Sequence, residues 1–199
     1  MRNLSVRLVG LLLVLLLAAC ASIEKADGEQ LVASRLRVQL SESWNKLPGV
    51  DGQPFQSWTQ EGMPIDQLRF WAGLKPDQAL IRAVSRAAPA GGAAPRVPTF
   101  TKGMSLDQLV NLFEVAYSAD GSSFTLTKAE PVTFVGEKGV RFEFSLVRKS
   151  DELQMRGVGW AAVHKDQLFA INYVAPRLSF FARLVPKAEA VAAGASIKD

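Results

Sequence analysis

One histidine and one cysteine bound the chemistry open to this chain of 199 residues. His164 is the sole imidazole that could serve as a general base, and Ser105 or Ser123 would be the hydroxyl it activates in a hydrolase. The surroundings of each residue argue for a plainer role. No Gly-x-Ser-x-Gly turn is present to hold a strained nucleophile. Ser105 opens Ser105-Leu106-Asp107-Gln108, a capping box in which hydroxyl and amide satisfy the free N–H groups of a helix start. His164-Lys165-Asp166 is polar as a hairpin tip is polar, which predicts a solvated histidine. Asp151-Glu152 follows Ser150 and reads as a solvated loop, and one histidine without a spare thiol is a poor ligand set for a transition metal. Gly91-Gly92 does not stand between a strand and a helix as a phosphate loop would. These residues point to no cofactor, no metal and a non-enzymatic protein.

Cys20 has a different meaning. Arg2 and Arg7 precede an apolar run from Leu8 to Leu17, and small residues Ala18 and Ala19 follow, the three parts of an export signal. Leu17-Ala18-Ala19-Cys20 resembles the lipobox of bacterial lipoproteins. The resemblance implies a signal peptide over 1–19, cleavage before Cys20, and a diacylglyceryl thioether on that residue, usually with a further acyl chain on its amine. An uncleaved spanning helix is the competing reading, but about ten strongly apolar residues fall short of the roughly 20 that a bilayer requires. At roughly 0.8 kcal/mol per buried methylene, one acyl chain holds a protein marginally and two or more hold it stably. Ala21 then occupies the second mature position. The family's sorting pattern, in which aspartate there favours the inner membrane, implies an outer-membrane anchor facing the periplasm, with the inner membrane as alternative.

Loss of the signal changes the charge balance. The full chain carries 23 basic and 19 acidic residues for a net +4; without Arg2 and Arg7 the count is 21 against 19, net +2. No basic block interleaved with aromatics supports a nucleic-acid partner. With Cys20 consumed by lipid no disulfide can form within the monomer, so apolar packing must stabilise a mature chain of about 180 residues, a size suited to one domain.

Residues 20–33 then read as lipidated cysteine and tether, and 34–199 as a single domain. Ala21 to Gln30 shows no periodicity, and ten extended residues span at most about 35 Å, which keeps the domain near the membrane. Leu36, Val38 and Leu40 alternate with Arg37 and Gln39 as a first half-buried strand. Ser57–Gln60 and Gln67–Ala72 flank a Gly/Pro-containing turn and form a hairpin. The Ala/Pro/Gly stretch near 87–98 lacks large side chains and predicts a mobile loop. Leu106, Leu109, Val110, Phe113 and Tyr117 share one face of a helix. Phe124 and Leu126, then Val140, Phe142, Phe144 and Leu146, then a hairpin over 156–164 and 167–175, make a meander in which Gly157 and Gly159 share a face with Ala161. Strand glycines often admit another element closely, here expected to be a terminal helix that opens at Pro176, carries Leu178, Phe181 and Leu184, breaks at Pro186 and stops at Gly194.

Two or three helices beside six to eight antiparallel strands, without βαβ alternation, define an α+β sandwich. Gly139-Val140-Arg141-Phe142-Glu143-Phe144, the hairpin ending Asn172-Tyr173-Val174-Ala175-Pro176, and a final helix with Phe180-Phe181 resemble the Mog1/PsbP-like fold over residues 120–193. The resemblance implies an accessory or interaction module and transfers no site residue. Trp44, Trp58, Trp71 and Trp160 suit a core, except that Trp58 and Trp71 lie on adjacent hairpin strands and are expected to share an exposed partner surface. The expected function is a membrane-anchored, non-enzymatic accessory or assembly factor that binds an envelope protein. A carrier of lipid or a small apolar ligand is the alternative, and a hydrolase a distant third.

Overall fold

The computed structural model describes residues 23–49, 52–82 and 97–198. The signal peptide over 1–19, Cys20 and most of the 87–98 stretch lie outside the described residues. Among the described residues eleven strands and two helices follow in order: β1 (Glu24–Ala26), β2 (Glu29–Val32), β3 (Leu36–Gln39), β4 (Trp44–Lys46), β5 (Gln56–Thr59), β6 (Gln67–Leu74), α1 (Leu106–Ser118), β7 (Ser123–Phe134), β8 (Glu137–Val147), β9 (Gln154–His164), β10 (Gln167–Pro176), α2 (Phe181–Ala193) and β11 (Ser196–Ile197). Eight strands form one antiparallel sheet in the order β1-β4-β5-β6-β10-β9-β8-β7, and β11-β3-β2 form a second.

Period-2 alternation divides the large sheet into two apolar faces. On one, Trp71, Val140, Phe142, Phe144, Leu168 and Ala170 meet the Leu109, Val110 and Phe113 stripe of α1. On the other, Trp58, Phe70, Trp160, Ile171 and Tyr173 meet Leu184, Ala188 and Val191 of α2 and Val32, Leu36 and Val38 of the small sheet. The α+β sandwich expected from the sequence is the architecture observed. At the start of α1 the capping box is closed both ways: Ser105 Oγ accepts from Gln108 N at 3.3 Å, and Gln108 Oε1 accepts from Ser105 N at 2.8 Å.

Three expectations need correction. The tether over 20–33 is sheet from Glu24 onward, because β1 and β2 are short, mostly exposed strands with one fully buried anchor each, Ala26 and Val32, too few to show alternation. Pro176 ends β10 rather than opening a helix; α2 begins at Phe181 after a turn with Ser179 at φ +69°, and runs through Pro186 unbroken. Gly157 and Gly159 make room on the α1 face, not for α2. A Cβ at Gly157 would lie 2.1 Å from Phe144 Cζ, and one at Gly159 would lie 2.4 Å from both Phe142 Cζ and Asn172 Oδ1. The rings of the neighbouring strand occupy that space.

Candidate functional site

Antiparallel register brings the end of β5, the start of β6, the end of β8, the start of β9 and the end of β10 to one end of the large sheet: Val174 pairs with Gln67, Val147 with Gln154, and Ala175 with Arg156. Three loops, 60–66, 148–153 and 177–180, meet there. The first is built around Asp66, whose buried carboxylate accepts from Thr59 Oγ1 at 2.5 Å, Gln60 N at 3.0 Å and Glu61 N at 2.8 Å. Thr59 Oγ1 in turn accepts from Gly62 N at 2.8 Å. With its backbone N–H groups held from inside, the loop turns Met63 outward, 61% exposed.

Side chains from the other two loops and from α2 brace it. Arg148 donates from Nη1 to Pro64 O at 3.2 Å, and from Nε and Nη2 to both oxygens of Asp151 at 2.9 and 2.6 Å. That two-pronged, charge-assisted contact holds the Asp151 carboxyl down at about 2 and the Arg148 guanidinium above its ordinary value. Arg183 Nη2 donates to Glu61 Oε1 at 2.8 Å and stacks over Phe180. Arg177 N continues the β10 ladder to Gln154 O at 2.9 Å, and the next residue, Leu178, is 74% exposed. Behind the loops, the Tyr173 hydroxyl is pushed well above the usual phenol range by burial and by Asp66. Met63 and Leu178 are thus two of the three most exposed large apolar residues described, set among arginine–carboxylate pairs whose charges nearly cancel. Solvent-facing methionine and arginine on a braced surface are what a protein partner can grip.

The residues singled out in the sequence fall elsewhere. Trp58 and Trp71 are 2% and 1% exposed and lie on opposite faces of the sheet, Trp58 tilted against Phe70 and Trp71 edge-on to Phe113. The shared exposed face expected of them does not form: Trp58 is opposite Leu68, and Trp71 lies three positions further along β6, an odd offset that turns it to the other face. His164 ends β9 instead of standing in the turn; its ring is largely covered, with Nδ1 2.7 Å from Glu137 Oε1. Ser105 is occupied as the cap of α1, and Ser123 begins β7 whereas Glu137 pairs with Phe134 at the far end of that strand, roughly 35 Å along it. Ser123 is therefore held far from His164, and the Ser105 hydroxyl is taken up by the helix start. Among the described residues no group of three or more His, Cys, Asp or Glu side chains is placed to hold a metal ion. A cleft of about 320 Å³ opens between 53–56 and the upper part of β6, lined by Phe55, Phe70 and Ala72 but also by Gln53, Gln56 and Gln78. It is open and rimmed by amides, unlike the enclosed apolar cavity that a lipid carrier needs.

Met63 and Leu178 escaped the sequence reading for separate reasons. Met63 lies between Gly62 and Pro64, and a large apolar residue inside a turn was itself the available signal. Leu178 fits helical spacing with Phe181, which assigned it to a buried face that does not extend that far.

No family model matches the chain, and no curated protein matches it in sequence. The fold nevertheless defines a class, the PsbP-like α+β sandwich. Cyanobacterial PsbP (CyanoP) from Synechocystis sp. PCC 6803 superposes with a TM-score of 0.57 at 9% identity, over 91% of this chain and 95% of that one. LpqN of Mycobacterium tuberculosis, a protein involved in cell envelope biogenesis, gives a TM-score of 0.49 at 11% identity, over 91% of this chain and 88% of that one. Among the described residues no helix is long and apolar enough to cross a membrane.

Proposed function

We propose that the chain is an envelope lipoprotein, cut before Cys20 and acylated on it, whose domain binds an envelope protein as a non-enzymatic accessory or assembly factor. The observation that carries the binding role is the braced end of the sheet, where Met63 and Leu178 stand exposed above a hydrogen-bonded frame anchored on buried Asp66. Removing such side chains from water on association supplies the affinity, at roughly 25 cal/mol per Å² of apolar surface, and the flanking arginines supply direction. The lipobox supports the anchor, and Ala21 favours the outer membrane over the inner.

Site-specific photocrosslinking in cells tests the binding surface. A benzoylphenylalanine at position 63 or 178 is expected to give a discrete protein adduct, lost in Cys20→Ser, while the same probe at exposed Thr125 on β7 gives none. Adducts of equal yield from all three positions, or from none, would remove the loop end as the partner surface.

A further inference from the structure

We infer that the outer edge of β1 rests on the lipid surface, with Ile23 seated at the headgroup boundary beside the Cys20 acyl chains, so that the large sheet stands edge-on to the membrane. This rests on the acylation of Cys20 proposed above. Glu24, Lys25 and Ala26 pair with Lys46, Asn45 and Trp44, which locks β1 into the sheet. Only Ala21, Ser22 and Ile23 separate that strand from Cys20. Four residue steps from Cys20 to Glu24 reach at most about 14 Å even when fully extended. A ten-residue tether would let the domain turn freely; a link this short does not.

The strand order says which surface that link holds down. β1 is the outermost strand on one side of the large sheet and β7 the outermost on the other. Ile23 is a large aliphatic side chain 63% exposed at this edge, and it lies within about 11 Å of the acylated residue. Seating it among acyl chains removes that surface from water. Lys25 is exposed on the same strand, and Lys46 beside it is matched by Glu24 at 2.6 Å.

The stance orients everything else. At about 4.8 Å per strand, β7 lies about 34 Å from the β1 edge, and the loops that carry Met63, Leu178 and Arg148 lie about 10 to 30 Å from it. The partner is consequently met by a portion that projects from the membrane, not by a segment within it.

The test uses the mature acylated chain in phosphatidylcholine vesicles with a minority of phosphatidylglycerol. Lys25→Cys, Met63→Cys and Thr125→Cys are each labelled with a fluorophore, and quenching by headgroup-nitroxide lipid is measured. Quenching should be strongest at 25, intermediate at 63 and at least five-fold weaker at 125. Ile23→Asp should reduce quenching at 25 at least two-fold, and twelve Gly/Ser residues inserted after Ser22 should flatten the gradient. Intact mass separates the two ways of failing: a chain without acyl mass refutes the anchor, whereas an acylated chain quenched equally at 25 and 125 refutes only the edge-on stance.

Discussion

Gly157 owes its identity to a neighbouring ring. Phe144 is fully buried and its Cζ would lie 2.1 Å from a Cβ at 157, so the ring has no solvent to swing into. Gly157→Ala should therefore cost about 1–3 kcal/mol through overpacking, read as a lowered urea midpoint with an unchanged slope; an unshifted midpoint would contradict the packing. Asp151 has a pH signature instead. Its carboxyl is depressed to about 2 by the Arg148 contact, against an ordinary value of 3.8. A depressed carboxylate stabilises the folded state fully above the unfolded value and loses that contribution as pH falls from about 4 toward 2. Asp151→Asn should be less stable than the parent at pH 6, with the gap closing toward pH 2. At this scale the sequence was only half legible: the strand glycines were visible as exceptions, but the atoms filling their space belong to a strand more than ten residues away.

Among the described strands, β7 is twelve residues long and pairs only with β8. A long free edge invites pairing with a second copy. Here Pro131 withholds a backbone donor, the register slips between Leu126 and Lys128, and Lys128 and Glu130 place charge along the strand. Pro131→Thr should preserve the fold and raise self-association several-fold in sedimentation velocity at equal concentration; a variant that stays as monodisperse as its parent would show that the proline does not guard the edge. The capping box and the Leu109, Val110, Phe113 stripe of α1 were readable in advance because helix ends and faces are written in residues three or four apart. β1 and β2 were not, since three or four exposed residues acquire strand geometry only from the partners they pair with. The start of α2 misled for a related reason: Pro176 suits a helix start and a strand end equally, and the ladder to Met155 decides between them.

For the whole molecule, local residue order carried the resemblance to a lipobox around Cys20 and the α+β class, because each is expressed in contiguous residues or a short period. Only the tertiary structure decided that Trp58 and Trp71 are core, that His164 is held by Glu137, and that Met63 and Leu178 share an end of the sheet, because strand order joins segments far apart in the chain. It also placed β1, which begins four positions after Cys20 in the sequence, at the sheet edge. Burial and orientation are properties of the assembled sheet, whose pairings no single segment of the chain encodes.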